Sequence, residues 1–226
     1  MPHRKAVIFD AYGTLFDVAG AARLAAAEPG GAGLGAEWPV LADIWRRKQL
    51  EYSWLRTLMG AHADFAEVTA EALDWALDAQ GLRDGALRAR LLALYDQLPP
   101  YPEVPETLAT LRARGLRLGI LSNGTPGMLA SALRAAGIAD HIEMAVSVEA
   151  AGRYKPAPEA YALVGEEMGV AREKVLFVSA NGWDVAGASR FGFATVWVNR
   201  SGLPMERLPH GPRHIIPDLS RLPVLA

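Results

Sequence analysis

The sequence of 226 residues contains no cysteine. That absence excludes disulfide bonds, cysteine metal sites and a thiol nucleophile, and it fits a reducing compartment. No apolar run approaches the roughly 20 residues that a helix needs to span a bilayer. The formal net charge is only −2 and both signs are mixed along the chain, so nothing favours nucleic acid or an anionic membrane as a partner.

The amino-terminal stretch begins with positive charge and continues into an apolar run, as a secretory signal does. Asp10 interrupts that run, however, and no small-residue cleavage site follows it. We therefore expect a cytoplasmic protein. Hydrophobic residues make up 51% and charged residues 21% of the sequence, which is typical of a folded globular chain.

The hydrophobic pattern of the first hundred residues changes once. Lys5–Phe9 is a short apolar run that predicts a buried strand ending at Asp10. From about residue 18 to 98, apolar residues recur at helical spacing, apart from a Gly/Ala-rich loop at Gly30 to Gly35. The predicted helices are Glu37–Met59, Phe65–Gln80 and Asp84–Leu98. Two apolar stripes on the first of them, the second formed by Leu50, Trp54 and Leu58, predict packing on two sides.

From residue 99 onward, predicted strands and helices alternate. The strands are Leu116–Leu121, Met144–Val148, Lys174–Ser179 and Thr195–Asn199, and the helices are Thr107–Arg114, Pro126–Ala136, Pro158–Met168 and Trp183–Phe191. Such alternation predicts right-handed βαβ units and a parallel sheet. We therefore predict an α/β fold with a Rossmann-like core, residues 1–17 and 99–226, and a helical cap, residues 18–98, inserted after the first strand. The Pro-rich tail from Ser201 is expected to wrap the surface.

Polar groups follow four of the predicted strands. Each alone could be an ordinary turn, helix cap or surface residue. Together they place two carboxylates, a lysine and several small polar side chains at one sheet edge, where open α/β sheets bind ligands. The groups are Asp10 to Thr14, Ser122 to Gly124, Arg153 to Pro156 and Ser179 to Asp184.

This constellation resembles the haloacid dehalogenase superfamily, and more narrowly the L-2-haloacid dehalogenases. The aspartate, the serine, the lysine and the acidic fourth motif carry the superfamily likeness. The segment Trp45–Met59 and the motif at Ser179–Asp184 are more specific to the dehalogenases. The matching stretches are FDAYGTLFDV (Phe9–Val18), WRRKQLEYSWLRTLM (Trp45–Met59), LSNG (Leu121–Gly124), YKP (Tyr154–Pro156) and FVSANGWD (Phe177–Asp184).

A phosphatase of the same superfamily is the main alternative. Phosphoryl transfer calls for Mg²⁺ with oxygen ligands and for a second carboxylate that protonates the leaving oxygen. Tyr12 stands two residues after Asp10, where the phosphatases carry that acid, and Ala180 stands where they carry a metal-binding aspartate. A halide leaves without a proton, so the sequence favours dehalogenation without a metal or other cofactor. A relative with another specificity, or one that only binds a small acid, is a third alternative.

The resemblance implies a two-step reaction. The Asp10 carboxylate attacks C2 of an L-2-haloacid, or of a haloacetate, opposite the halide, which gives an aspartyl ester and inverts C2. Water then attacks the ester carbonyl and releases a D-2-hydroxy acid. Lys155 is expected to orient Asp10 and keep it anionic, and Asp184, with Lys155, to activate the water.

The resemblance also implies how substrate and halide are held. Ser122, with the backbone amides of Ala11 and Tyr12, is expected to bind the substrate carboxylate. Arg46, on a cap helix, suits a departing halide because its guanidinium is a fixed cation with several donors. Asn123 and Trp183 are expected to line the halide site with it. Supporting roles fall to Thr14, Tyr161, Ser179 and Asn181, and apolar walls to Tyr12, Leu50 and Phe65. A homodimer is possible, although the sequence locates no interface.

Overall fold

The computed structural model describes residues 5–29 and 34–226. The loop predicted at Gly30 to Gly35 lies mostly outside the described residues. Its last residue begins a short 3-10 turn, Gly35–Glu37, and Leu34 just before it is buried. In the described ranges, no helix is both long enough and apolar enough to cross a membrane.

A parallel sheet forms the centre of the molecule. Within the described residues it has six strands in the order β3-β2-β1-β4-β5-β6, and every neighbouring pair is parallel. The first strand along the chain is therefore central in the sheet. The strands are β1 (Ala6–Phe9), β2 (Arg117–Ser122), β3 (Met144–Ser147), β4 (Val175–Ser179), β5 (Ala194–Val198) and β6 (His214–Ile216).

The two central strands are apolar along their whole length. β1 reads AVIF and β4 reads VLFVS, and every residue of both is buried. Strands covered by helices on both faces show such continuous apolar runs and do not alternate. Their register pairs Phe9 with Val178, so the two strands end at the same level. Whatever follows Phe9 and Ser179 in the sequence must therefore meet at the carboxyl edge.

Helices connect the strands after β1. Several begin and end as their sequences suggest: the Thr125 hydroxyl accepts a hydrogen bond from the Met128 amide, and Gly169 and Gly192 end two helices at positive φ. These core helices are α5 (Val104–Ala113), α6 (Pro126–Ala135), α7 (Pro158–Met168) and α8 (Gly182–Phe191).

The segment between residues 18 and 98, called the cap below, contains helices and no strand among its described residues. Asp64 and Asp84 accept hydrogen bonds from the first amides of two of its helices. The chain enters and leaves the cap at one place, because the Asp17 amide donates to Pro99 O at 3.0 Å. The cap helices are α1 (Gly20–Ala27), α2 (Trp38–Met59), α3 (Phe65–Ala79) and α4 (Gly85–Tyr95).

The predicted α/β class and parallel sheet are confirmed, with boundaries shifted by a few residues. The sequence analysis missed α1, a short Ala-rich helix, and β6, which has three residues. Residues 201–210 are exposed, as expected of a surface tail, but His214–Ile216 then pair with β5. The predicted second packing side of α2 holds in part: Leu50 and Trp54 are half-buried and Trp54 meets Trp183, whereas Leu58 is 82% exposed. Division into a core and a cap domain at residues 17/18 and 98/99 stays a prediction.

Candidate active site

Asp10 lies at the centre of the carboxyl edge of the sheet. It follows β1, and its amide donates to Val178 O at 2.9 Å. From β1 the chain builds β2 and β3 on one side, and it later builds β4 and β5 on the other. The carboxyl edge next to such a reversal is open because the connections diverge there, and ligands bind at that point. Asp10 is only 5% exposed.

The Lys155 ammonium lies between two carboxylates. Its Nζ donates to Asp10 Oδ1 at 2.8 Å, to Asp184 Oδ2 at 2.7 Å and to Leu121 O at 3.1 Å. An ammonium has three N–H donors, so these contacts use all of them. All three charged side chains are buried. Removing the lysine would leave two adjacent carboxylates buried without a counter-charge, a change that costs about 3–5 kcal/mol in comparable pairs.

The titration of these groups follows from that geometry. Burial lowers the pKa of Lys155, but the charges of Asp10 and Asp184 outweigh it and the net pKa is raised, so the ammonium keeps its proton. Burial raises the pKa of Asp184, and the charge of Asp10 adds to the rise, while Lys155 opposes it. Tyr161 donates to Asp184 Oδ1 at 2.8 Å. Burial and then the charge of Asp184 raise the pKa of this tyrosine well above its usual value, so it remains a neutral donor.

The second oxygen of Asp10 is surrounded by hydrogen-bond donors. Oδ2 accepts from Thr14 Oγ1 at 2.9 Å, from Asn181 Nδ2 at 2.8 Å and from Ser179 Oγ at 3.4 Å. The Thr14 hydroxyl also accepts from the Ala180 amide at 2.8 Å, which directs its proton toward Asp10. The two oxygens of the same carboxylate are therefore in different environments: Oδ1 faces the ammonium, and Oδ2 faces neutral donors.

Arg46 reaches the site from α2 in the cap. Its Nη2 lies 3.4 Å from Tyr12 O and 3.4 Å from Asn181 Oδ1, which are long contacts. Its Nη1 donates to Gln49 Oε1 at 2.8 Å, within the same helix. Asn181 thus touches both Asp10 and Arg46. The arginine is half-buried, whereas its neighbour Arg47 is exposed and Arg56 pairs with Glu71, as ordinary surface charges do.

A small cavity separates the sheet edge from the cap. Its volume is about 10 Å³, comparable to the space that holds one water molecule. It is lined by Asp10, Tyr12, Arg46, Leu50, Phe65, Ser122, Asn123, Lys155 and Trp183. Every one of these residues was a site candidate from the sequence, and core and cap both contribute.

Two of the lining residues are held by the backbone. Asn123 Oδ1 accepts from the Lys155 amide at 3.0 Å, and Ser122 Oγ accepts from the Gly124 amide at 3.0 Å. The walls are aromatic: Tyr12 packs 6.0 Å from Phe65 between ring centroids, and Trp183 meets the edge of Trp54 at 5.4 Å.

The remaining candidates lie behind the cavity wall. Ala11 is buried, and its carbonyl accepts from the amides of the turn that follows. Thr14, Ser179 and Asn181 surround Asp10 Oδ2, as described above. Tyr161 and Asp184 lie on the far side of Lys155 and do not line the cavity.

Three residues that the sequence analysis did not select contact the site from the cap. Gln49 holds Arg46, Tyr95 stacks on Tyr12 with 5.4 Å between centroids, and Trp54 packs against Trp183. The position of Gln49, three residues after Arg46 on a helix, is the one signal that could have indicated its contact. Trp54 lies in the second apolar stripe of this helix, one turn after Leu50, whereas nothing in the sequence points to Tyr95.

The positions that distinguish a phosphatase are occupied by other groups. Tyr12 contributes a ring and its carbonyl, and Ala180 contributes its amide to Thr14. The Lys155 ammonium fills the space between the two carboxylates. In residues 5–29 and 34–226, no group of three or more acidic or histidine side chains is arranged to hold a metal ion.

The chain resembles known proteins over nearly its whole length. The family model of the haloacid dehalogenase-like hydrolases matches residues 4–192. (S)-2-haloacid dehalogenase 1 of Pseudomonas sp. (strain CBS-3) is 45% identical over 222 residues, which cover 98% of this chain and 96% of the relative. (S)-2-haloacid dehalogenase of Xanthobacter autotrophicus is 48% identical over 197 residues, which cover 87% of this chain and 75% of the relative.

A solved structure adds a chemical observation. The L-2-haloacid dehalogenase of Xanthobacter autotrophicus with chloropropionic acid covalently bound superimposes with a TM-score of 0.88 at 40% identity, and the match covers 98% of both chains. In that protein, therefore, the chloropropionic acid is joined to the enzyme by a covalent bond.

Proposed function

The chain belongs to the haloacid dehalogenase-like hydrolases, and within them to the (S)-2-haloacid dehalogenases; we propose that it hydrolyses short L-2-haloalkanoic acids and haloacetates to 2-hydroxy acids. The product of an L-2-haloacid is the D-2-hydroxy acid, because attack opposite the halide inverts C2. The observation that carries this proposal is a buried aspartate paired with a lysine, with a cap arginine across a small cavity.

In the first step the Asp10 carboxylate attacks C2 and displaces the halide. We assign the attack to Oδ1, because the lone pairs of Oδ2 already accept from Thr14, Asn181 and Ser179. The electron pair of Oδ1 forms the C–O bond, and the halide leaves with the C–halogen bonding pair. Lys155 donates to Oδ1 at 2.8 Å and so orients the carboxylate for the attack.

In the second step water attacks the carbonyl carbon of the Asp10 ester. Oδ2 is then the oxygen on which negative charge develops, and the three donors around it are already in place to stabilise that charge. Asp184, beside Lys155, accepts the proton of the water, and its raised pKa makes it a stronger base than an ordinary aspartate. The bond between the carboxyl carbon and Oδ1 then breaks, and Oδ1 leaves on C2 and takes the proton from Asp184 as the product hydroxyl. The remaining carboxyl proton goes to solvent, which restores the Asp10 carboxylate with the oxygen of the water. The bond between C2 and Oδ1 does not break, so the inverted configuration survives.

Binding of the substrate divides between core and cap. Ser122, beside the amides of Ala11 and Tyr12, is proposed to hold the substrate carboxylate, and Arg46 with Asn123 and Trp183 to receive the halide. Leu50 and Phe65 close the apolar side. Because the cavity holds about one water, a haloacid enters only if residues 18–98 move as a cap domain away from a core of residues 1–17 and 99–226.

Halide release from the separate enantiomers of 2-chloropropionate tests the proposed function. We expect chloride from the L enantiomer only, D-lactate as the product, and no change in rate after treatment with a chelator, because no step is assigned to a metal. Phosphate release from a generic phosphate ester in Mg²⁺, without chloride from either enantiomer, would support the phosphatase alternative. Release of neither ion would support a relative with another specificity.

We also propose a homodimer formed through the outer face of α2 and α3. Exposed apolar side chains lie there, Leu55 at 44%, Met59 at 68% and Trp75 at 42% exposure, over an open groove of about 690 Å³. Charges of both signs border the groove, Arg56 on one side and Glu71, Asp74 and Asp78 on the other. A surface with both signs and an apolar centre suits self-association, in which each patch meets its own copy.

Light scattering on the purified chain tests the dimer. The Met59→Glu variant should run as a monomer at concentrations where the native chain is a dimer, because burying an unpaired carboxylate is costly. Leu203→Glu, which changes a similarly exposed apolar side chain of the surface tail, is the control for added charge alone. A native monomer at high micromolar concentration would contradict the proposal.

A cytoplasmic location, proposed from the absence of cysteine, is checked by fractionating the native host.

A further inference from the structure

Gln49 is a buried polar residue to which the proposed mechanism gives no role. It lies one turn after Arg46 on α2 and is 1% exposed. Its Oε1 accepts from Arg46 Nη1 at 2.8 Å, the shortest hydrogen bond given for that guanidinium within the described residues. A buried amide needs partners at both ends, and its second partner decides which end faces the arginine.

Thr69 on α3 fixes the orientation of that amide. Its hydroxyl donates to Phe65 O at 2.6 Å and therefore presents a lone pair to Gln49. Gln49 Nε2 donates to this oxygen at 2.7 Å, which leaves Oε1 toward Arg46. The Tyr95 hydroxyl, on α4, lies 3.1 Å from Nε2 and 3.2 Å from Oε1. Side chains from three cap helices thus meet at one glutamine, and Thr69 and Tyr95 are both buried.

This arrangement has a direct consequence for Arg46. A free arginine side chain loses rotamer freedom when it is fixed in one position, and the contacts of Arg46 to the core are long, at 3.4 Å. Gln49 holds one end of the guanidinium fork and leaves the other end toward the cavity. Because the glutamine is neutral, it orients the guanidinium without cancelling the positive charge that an anion would need. A glutamate at this position would form an ion pair and cancel it.

We propose that Gln49, held by Thr69, is a positioning residue that aims Arg46 at the departing halide and so sets the discrimination between halide leaving groups. The inference rests on the proposed dehalogenase function and deepens it. Chloride is a poorer leaving group than bromide, so its departure depends more on a donor that is in place before the bond breaks. Loss of the Gln49 contact therefore affects chlorinated substrates more than brominated ones.

Turnover of (S)-2-chloropropionate and (S)-2-bromopropionate by the native chain and by Gln49→Met tests this role. Methionine keeps the length and apolar volume and loses both hydrogen bonds. We expect kcat for the chlorinated acid to fall about tenfold, as for one hydrogen bond to a charged group, and kcat for the brominated acid to fall less. Inhibition by free bromide should weaken by a similar factor, while KM, which depends on the carboxylate site of the core, changes little.

Thr69 provides a second route to the same test. Thr69→Val removes the hydroxyl that orients Gln49 and should reproduce the change in halide preference, whereas Thr69→Ser keeps the hydroxyl and should restore the native preference. Thr107→Val is the matched control: Thr107 is also a buried helical threonine that donates to a carbonyl, Leu219 O at 3.3 Å, but it lies on α5 away from the site. It should lower stability and leave the preference unchanged.

Three outcomes would overturn the inference. Gln49→Met could lower turnover of both substrates by the same factor, it could leave bromide inhibition unchanged, or Thr107→Val could shift the preference as Thr69→Val does. Any one of these results would mean that Gln49 contributes to packing and does not position Arg46. The native chain, measured in the same assay, separates this failure from failure of the proposed function, because only the second would leave the native enzyme without halide release.

Discussion

The two sides of the crevice are held together in different ways. On the core side, Asp10 is fixed by contacts of 2.8 to 2.9 Å with Lys155, Thr14 and Asn181, all from segments that follow strands of one sheet. On the cap side, Arg46 is held at 2.8 Å by Gln49 of its own helix, and it reaches the core only at 3.4 Å. At Arg46, the polar contacts within the cap are therefore shorter than those to the core.

That difference indicates a division of work. In the proposed mechanism, the core holds the nucleophile and the ester-hydrolysis groups in place before any substrate arrives, because the strands that precede them belong to one sheet. The cap contributes Arg46 to a proposed halide site whose other members, Asn123 and Trp183, belong to the core, so a movement of the cap would open that site without disturbing Asp10. The small cavity and the adjacent entry and exit of the cap, at Asp17 and Pro99, agree with this division.

The largest loss of activity is expected from a substitution at Asp10. Asp10→Asn should lower halide release by at least about 10⁴-fold, because an amide cannot replace a carboxylate as the nucleophile. In the native enzyme, a single turnover with enzyme in excess in H₂¹⁸O should place the label in the Asp10 carboxylate, as mass spectrometry of the peptide shows. Label in the first-turnover product alone would mean that water attacks C2 directly.

A substitution at Asp184 tests whether the core also supplies the base for hydrolysis of the Asp10 ester. Asp184→Asn should lower turnover by about 10² to 10⁴-fold and let the Asp10 ester accumulate, because the base for the water is lost while the nucleophile remains. Burial and the charge of Asp10 raise the pKa of Asp184, although Lys155 opposes the rise. The native activity should therefore fall, as pH is lowered, at a pH above the value of an ordinary aspartate.

The alkaline side of the same profile follows from Lys155. Its pKa is raised, since the two carboxylates outweigh burial, so activity should persist until the pH rises above the usual lysine range. The Asp184→Asn variant also has an outcome that would contradict the role of Asp184 as the base. If the variant forms the ester slowly and mass spectrometry detects no ester, Asp184 only positions Lys155.

Arg46 on the cap side should give the smallest of the three effects. Arg46→Lys keeps the charge but loses the fork that contacts Gln49 and Asn181 together, so kcat should fall about 10- to 100-fold. Ester formation should be the slowed step, and hydrolysis of the ester should keep its native rate in single-turnover kinetics. Arg47→Lys, one residue further on the exposed face, is the matched control. Equal slowing of both steps would contradict the division between core and cap.

Much of the site could be predicted from where residues stand relative to strands. Asp10 and Ser122 end or follow strands, and Lys155 and Asp184 stand in the loop or first helical turn beyond others. The carboxyl ends of parallel strands meet at one edge whatever the details of packing. The residue types at these positions then favoured dehalogenation over phosphoryl transfer, because Tyr12 and Ala180 stand where a phosphatase needs carboxylates.

The environments within the site could not be predicted in the same way. Which oxygen of Asp10 faces Lys155 depends on side-chain rotamers, and the sequence is silent about them. The apolar stripes of α2 also misled: Met59 continues the spacing of the buried Leu41 and Trp45, and Leu58 continues that of Leu50 and Trp54, but Leu58 and Met59 are both exposed. Periodicity marks an apolar face, and it cannot tell a face that meets the core from one that meets another molecule or water.

The sequence by itself determined the proposed nucleophile, its lysine and the order of the fold, because local patterns and parallel pairing are enough to bring strand ends together. Only the tertiary structure decided how Arg46 is held. Gln49, Thr69 and Tyr95 stand on three consecutive helices, and Thr69 and Tyr95 lie 20 and 46 residues from Gln49, so their hydrogen bonds exist only because those helices pack together. The donors around Asp10 Oδ2 likewise meet through the sheet, so their directions follow from the packing.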